Sequence, residues 1–277
     1  MTAPDRPDRL ADFTVLECLG EAGNGTFYLA VPPPRLGLSD DRVVVKVFGG
    51  LCSDDAYRRG VRELRAFAAV RSPYLAKLYD AVLQGRFMYA MEYFPAGSLA
   101  APHADRTDAS GRVDRDTALA ALADAARGVH DLHEAGIAHG NVTPASVMIT
   151  DGGGRICDLG LSRVLATDEP ITSFVQPTSV QYVDPSLLAG GTPSRATDVW
   201  SLGACLHFVL TGTGVYGAIP DAQPMLAIRA ALSNPPSPAP SLARDEAALV
   251  ASCLNLSGRV PSTALDVADR IDALRRR

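Results

Sequence analysis

Residues 139–149 read His-Gly-Asn-Val-Thr-Pro-Ala-Ser-Val-Met-Ile, and this stretch decides how the rest of the chain is interpreted. A loop of neutral polar side chains runs directly into an apolar segment, which is typical of a short buried strand. The turn Asp151-Gly-Gly-Gly154 then predicts a hairpin, and its second strand leads to Asp158-Leu159-Gly160. Because residues 139–149 contain no carboxylate, the loop itself supplies no acidic side chain for chemistry.

The composition indicates a globular protein with one large domain or two lobes. The chain has 277 residues, of which 47% are hydrophobic and 21% charged, so a sizeable core is possible. A net charge of −5 argues against a general nucleic-acid or anionic-membrane binder. The longest apolar stretch, residues 200–210, is too short and too interrupted to span a bilayer, and the first residues do not form a signal peptide. Five dispersed cysteines indicate free thiols in a reducing cytoplasm.

Hydrophobic periodicity predicts a strand-rich first third and a mainly helical remainder, joined near Phe94-Pro95. A polar, proline-rich tail precedes the first strand. The expected strands are 13–19, 26–31, 43–48, 74–82 and 87–93, with two more at 147–150 and 155–157. The expected helices are 54–71, 115–135, 194–210, 222–233, 244–254 and 262–275.

Four further motifs occur one after another along the chain. A glycine-rich turn spans residues 20–25, and the strand Val43-Val-Val-Lys46 comes later in the chain. Residues 91–99 read Met-Glu-Tyr-Phe-Pro-Ala-Gly-Ser-Leu, and residues 194–203 read Ser-Arg-Ala-Thr-Asp-Val-Trp-Ser-Leu-Gly. Together with the loop at 139–149, this order resembles a bacterial Ser/Thr protein kinase domain over roughly residues 12–275.

The resemblance implies an α+β, bilobal protein-kinase-like fold within one kinase-like domain. It would have a small β-rich N-lobe with helix αC at 13–94, a larger helical C-lobe at 95–277, and a flexible N-terminal tail at 1–12. Asp198, in the 194–203 motif, is then expected to accept hydrogen bonds from the backbone of the catalytic loop.

The resemblance also implies a site for ATP and Mg²⁺. Lys46 would hold the α and β phosphates, Glu63 would orient Lys46 through an ion pair, and Asp158 would bind the metal. Lysine occurs only at positions 46 and 77, so its presence at the expected position favours the functional interpretation. The nucleotide-binding positions are Gly20, Ala22, Gly25, Phe27, Val44, Lys46, Glu63, Met91, Glu92, Phe94, Ser98 and Met148.

The catalytic positions depart from the family pattern. Asn141 stands where the base Asp belongs, Thr143 replaces the catalytic-loop Lys, and Gly140 replaces the Arg. Ser146 replaces the second metal ligand Asn and would be a weak ligand. Above the adenine, Phe27 and Val44 take the places of a small Val and an Ala, so the pocket is expected to be narrower.

Three functions remain open at this point. The first is a pseudokinase, a regulatory or scaffolding domain that binds ATP but transfers phosphate poorly or not at all. The second is a weakly active or unusual ATP-dependent transferase, which is favoured by the presence of Lys46, Glu63 and Asp158. The third is a nucleotide-free interaction module, which the enlarged Phe27 and Val44 favour. In every case we expect a cytoplasmic domain with an unidentified regulatory protein partner, no nucleic acid, and no membrane segment in this chain.

Overall fold

The computed structural model describes residues 7–22, 25–49, 53–104, 107, 111–161, 177–220, 223–256, 258, 261 and 263–276. These residues belong to two compact units. The first unit contains the described residues of 7–69 and 76–93 together with Leu161, and the second contains those of 70–75, 94–160 and 177–276.

The first unit is built on an antiparallel six-stranded sheet with the order β1-β2-β3-β4-β6-β5. One helix, α1 at Asp54–Ala69, joins β4 to β5. The strands are β1 Arg9–Leu10, β2 Phe13–Ala22, β3 Gly25–Val31, β4 Val43–Phe48, β5 Leu78–Gln84 and β6 Arg86–Glu92.

Strand β4 separates two kinds of side chain because successive residues of a strand point to opposite faces. Val43, Val45 and Val47 lie in the main hydrophobic cluster of the sheet, together with Ala30 and Met88. Val44 and Lys46 therefore share the other face. The same alternation that buries the valines thus places a lysine side chain on the opposite face of the sheet.

The second unit is mainly helical and contains a two-stranded hairpin. Its long helix α2 is rich in buried alanines, which allow close packing against the hairpin and against α4 and α7. The elements are α2 Arg115–Glu134, β7 Val147–Thr150, β8 Gly153–Ile156, α3 Pro185–Leu188, α4 Arg195–Thr211, α5 Pro224–Ser233, α6 Arg244–Cys253 and α7 Ala264–Arg275.

Helix α4 begins where its sequence provides a capping box. The Ser194 side chain accepts the Thr197 backbone N–H, and the Thr197 side chain accepts the Ser194 backbone N–H. The helix ends at Gly212, whose φ of 76° is favourable for glycine. This defined start fixes Asp198 in the first turn of a helix that is buried along most of its length.

The expected succession of strands and helices is confirmed, with local differences. Residues 9 and 10, which fall in the expected tail, pair with β2. Strand β5 begins at Leu78 rather than at residue 74, because Leu75 pairs with Ile156 of β8 and the Tyr74 carbonyl accepts the Ile156 N–H. The short helix α3 and a 3₁₀ segment at Pro177–Tyr182 have no periodic pattern long enough to be seen in the sequence.

Candidate functional site

In the first unit, the strand register brings four of the predicted nucleotide-binding residues to one face of the sheet. Phe27 of β3 lies directly opposite Lys46 of β4, and Val44 lies opposite Met91 of β6. Since Val44 and Lys46 are two residues apart, all four side chains project from the same face. The sequence prediction that these residues act together is therefore consistent with the register.

Lys46 is almost completely buried, with 1% of its surface exposed. Its Nζ lies 4.9 Å from the ring centre of Phe27 and 4.9 Å from that of Phe48. At such distances the negative face of each ring attracts the ammonium group. Sequence analysis missed Phe48, although its position two residues after Lys46 on the same strand places it on the same face.

Glu63 of α1 is half-buried, and none of the ion pairs among the described residues includes its carboxylate. The expected ion pair with Lys46 is therefore not formed in this arrangement. The Lys46 ammonium contacts the two phenylalanine rings.

The glycine-rich hairpin approaches Lys46 closely at Gly25. A Cβ atom added there would lie 2.9 Å from the Val47 carbonyl oxygen and 3.0 Å from the Lys46 Cε. Gly25 pairs with Ala22 across the hairpin, and Gly20, with φ of 123°, pairs with Phe27. Position 25 therefore favours glycine mainly because of the nearby Val47 backbone carbonyl, and the Lys46 stem fills the space beside it.

The end of β6 is held inside the first unit by Glu92. Its backbone N–H donates to the Lys77 carbonyl at 2.9 Å, and its carboxylate accepts the Lys77 N–H at 3.2 Å. In the second unit, Phe94 is buried, and its carbonyl oxygen accepts the Gly97 N–H at 3.1 Å.

Two further predicted nucleotide-binding residues, Ser98 and Met148, are neighbours in the second unit. They form an antiparallel bridge, with hydrogen bonds from Leu99 N–H to the Val147 carbonyl and from Ile149 N–H to the Gly97 carbonyl, each 2.9 Å. The Ser98 hydroxyl accepts the Ala101 N–H, so this hydroxyl is hydrogen-bonded within the turn of residues 98–101. The bridge aligns the start of the second unit with the strand that follows the catalytic loop.

The loop of residues 139–149 is held by Asp198, which is 1% exposed. One carboxylate oxygen accepts the His139 backbone N–H at 2.7 Å and the His133 Nε2–H at 2.8 Å, and the other accepts the Gly140 N–H at 2.8 Å. Buried charges are tolerated when they are fully hydrogen-bonded, as here. The geometry agrees with the role expected for Asp198, and the His133 contact is an addition to it.

The side chain of His139 connects the loop to the strand before Asp158. Its Nδ1 accepts the Asn141 N–H at 3.3 Å, so the proton is on Nε2, which donates to the Cys157 carbonyl at 3.0 Å. Complete burial lowers the pKa of His139. The imidazole is therefore neutral and acts as a structural link.

Asn141 contacts Asp158 directly. Its Nδ2 lies 3.2 Å from the Asp158 carbonyl oxygen and 3.3 Å from the carboxylate Oδ2. Both partners only accept hydrogen bonds, so the amide nitrogen must be the atom that faces them. Asp158 has φ of 60°, a left-handed conformation uncommon for residues other than glycine.

Ser146 and Thr143 are used inside the loop. The Ser146 hydroxyl accepts the Thr143 N–H at 2.9 Å, and it donates to the backbone carbonyl of Thr143 at 2.9 Å or of Asn141 at 3.1 Å. Both residues are buried, with 1% and 8% exposure respectively. The Ser146 hydroxyl therefore stabilises the loop by bonding to the Thr143 backbone.

A comparison with protein families matches residues 13–267 to the family described as protein kinase domain. The chain belongs to the protein kinase family. The fold predicted from the sequence, a β-rich lobe with one helix and a helical lobe, is thereby confirmed as protein-kinase-like.

Curated relatives of this kinase domain are bacterial Ser/Thr kinases. The "Probable serine/threonine-protein kinase PkwA" of Thermomonospora curvata is 30% identical over 90% of this chain and 32% of its own length. PknB of Mycolicibacterium smegmatis is 31% identical over 74% of this chain and 33% of its own, and PknK of Mycobacterium tuberculosis H37Rv is 29% identical over 77% and 19%. The chain thus spans a third or less of the length of these relatives.

Protein kinases use ATP and Mg²⁺, so the residues of this kinase domain can be compared with what those ligands need. Asp158 fits a magnesium ligand, because it is a carboxylate with about four lone-pair sites and the hydrogen bond from Asn141 reaches only one of its oxygens. Ser146 does not fit, because its hydroxyl is used within the loop. When bound, Mg²⁺ would neutralise charge on the phosphates.

Two observations concern other kinds of site. Within the part of the chain that the structure describes, no group of three or more His, Cys, Asp or Glu side chains could hold a metal ion by itself. Among the same residues, no helix is both long and apolar enough to cross a membrane.

Proposed function

We propose that this kinase domain is a pseudokinase, which binds ATP and Mg²⁺, transfers phosphate poorly or not at all, and acts by regulating or scaffolding a protein partner in the cytoplasm. The observation that carries the proposal is the contact between Asn141 and Asp158. An amide nitrogen faces the metal-binding carboxylate from the position where kinases have their catalytic base.

The chemical consequence is the loss of the general base. A carboxylate at position 141 could accept the proton of a substrate hydroxyl, whereas the Asn141 amide faces Asp158 as a donor. Positioned general-base catalysis contributes about 10²–10⁴-fold to a rate. Thr143 adds a second loss, because a neutral buried side chain replaces a cation that would stabilise the transferred phosphoryl group.

Nucleotide binding is supported by the residues that remain. Lys46 keeps a buried ammonium group suited to phosphate, Gly25 lies against its stem, and Asp158 keeps a carboxylate suited to Mg²⁺. Charged side chains stand at these two positions, whereas neutral side chains stand at the catalytic positions of the loop, and this difference favours a domain in which binding is separated from catalysis.

Two alternative functions are each supported by a separate observation. A weak or unusual ATP-dependent transferase is favoured by the presence of Lys46 and Asp158 together. A nucleotide-free interaction module is favoured by the Phe27 ring, which lies against the Lys46 ammonium group, and by the absence of a Glu63 ion pair among the described residues.

The test is a phosphoryl-transfer assay with radiolabelled ATP, Mg²⁺ and a generic acceptor protein, in which autophosphorylation is also followed. The variants are wild type, Lys46→Ala, and the double change Asn141→Asp with Ser146→Asn. We expect wild type to equal Lys46→Ala, and the double change to raise transfer about 10²-fold or more. Transfer by wild type that is abolished by Lys46→Ala and not increased by the double change would establish a transferase of different chemistry.

A further inference from the structure

Ser146 stands at the position where the family has its second metal ligand, and its hydroxyl is already hydrogen-bonded within the loop. Ser146 Oγ accepts the Thr143 N–H and gives its single proton to a backbone carbonyl of the same loop. One lone pair of the hydroxyl remains, but Ser146 is only 1% exposed, so a cation could reach this oxygen only if it turned out of the loop and left the Thr143 N–H without this acceptor. A buried N–H without an acceptor is unfavourable, so the loop resists this change.

The amide of Asn141 is also committed. Its nitrogen donates to two oxygens of Asp158, so its own oxygen points away from that carboxylate. A cation bound jointly by Asn141 and Asp158 would require the amide to flip, which would break both hydrogen bonds. Asn141 therefore orients Asp158 and does not share a cation with it.

We propose that this domain binds ATP together with one divalent cation, held by Asp158, and that Asn141 is the residue that positions this carboxylate. The inference rests on the proposed nucleotide binding. One carboxylate with phosphate oxygens and waters suffices for Mg²⁺, whereas a second cation would find no second side-chain ligand in the loop. Kinases with the full set of residues hold two.

The experiment counts bound cations with Mn²⁺ in place of Mg²⁺. Purified domain is mixed with an equimolar, non-hydrolysable ATP analogue, and Mn²⁺ is added stepwise while electron paramagnetic resonance measures the free ion. Analogue binding is measured in parallel by equilibrium dialysis. We expect one equivalent of Mn²⁺ to be bound with the analogue and the second equivalent to appear as the free-ion signal.

Variants separate the two residues. Ser146→Asn restores an amide ligand and should add a second bound Mn²⁺. Asn141→Ala should keep one bound Mn²⁺ but weaken its affinity about 10-fold, as is usual when a partner of a metal ligand is removed. Asn234→Ala, at the exposed end of α5, is the control and should change neither value.

The outcomes are distinguishable. Two Mn²⁺ ions per bound analogue in wild type would overturn the one-cation inference and leave the proposed function intact. An unchanged Mn²⁺ affinity in Asn141→Ala would overturn the positioning role. Failure of the analogue to bind, with or without Mn²⁺, would overturn both the inference and the nucleotide-binding function on which it rests.

Discussion

Restoring a carboxylate at position 141 should destabilise the domain when no divalent cation is present. In Asn141→Asp, two carboxylates would lie about where the amide nitrogen and Asp158 Oδ2 now lie, 3.3 Å apart. Two unit charges at this distance repel by about 1 kcal/mol in bulk water and about 5 kcal/mol at an effective dielectric constant of about 20. Both residues are partly buried, so we expect about 2–3 kcal/mol and a Tm lower by roughly 5–10 °C.

The sign of the pH dependence follows from the same pair. Repulsion raises the pKa of one carboxylate of the variant above its unfolded value, so the folded variant binds an extra proton as the pH falls. The deficit relative to wild type is therefore complete at neutral pH and narrows as the pH falls from about 6 to about 4. Mg²⁺ should narrow it at neutral pH, because the cation would lie between the two negative charges.

The assay is thermal unfolding followed by circular dichroism at several pH values, with and without Mg²⁺. The matched control is Asn141→Leu, which has a similar size and loses the hydrogen bonds without adding charge. Its deficit should narrow neither with acid nor with Mg²⁺. If Asn141→Asp were as stable as wild type at neutral pH without cation, the contact between Asn141 and Asp158 would not be as described.

Three more predictions concern the loop. Asp198→Ala should lower the free energy of unfolding in urea by about 3–5 kcal/mol, because three buried donors lose their acceptor; a loss below 1 kcal/mol would contradict this role. Gly140→Ala should lower the free energy of unfolding more than Gly136→Ala does in the same assay. Both glycines have positive φ, but only a Cβ at position 140 would meet Pro193, at 3.1 Å. Equal losses of stability would refute this contact. The lowered pKa of His139 keeps its imidazole neutral in the folded state, so protonation of His139 opposes folding. The free energy of unfolding should therefore decrease below about pH 6.5. The same quantity should depend less steeply on pH in His139→Leu.

Much of the fold could be predicted because its signals are periodic. The valines of β4 alternate with Val44 and Lys46, and the helix of residues 195–211 carries a capping serine and a terminal glycine. Local exceptions could not be predicted in this way. Tyr74 and Leu75 look like the start of a strand, but they pair with β8, a partner eighty residues away that no local pattern reveals.

The candidate site was predictable in its residue types and less so in its contacts. The order of motifs identified Lys46, Asn141, Ser146 and Asp158, because their spacing follows the family pattern. Hydrogen-bond direction depends on side-chain conformation, which spacing does not determine. The sequence therefore shows that position 141 lacks a carboxylate, but the structure is needed to show that its amide faces Asp158.

The central claim is that this domain binds ATP through Lys46 and a divalent cation although its loop lacks the base. It is tested most directly by thermal unfolding with ATP, with and without Mg²⁺, for wild type and Lys46→Ala. Ligand at about 100 times its Kd stabilises by roughly 2.7 kcal/mol, which moves the midpoint measurably. We predict a Mg²⁺-dependent increase in the Tm of wild type that Lys46→Ala loses. No shift of wild type at millimolar ATP would contradict the account and favour a nucleotide-free interaction module.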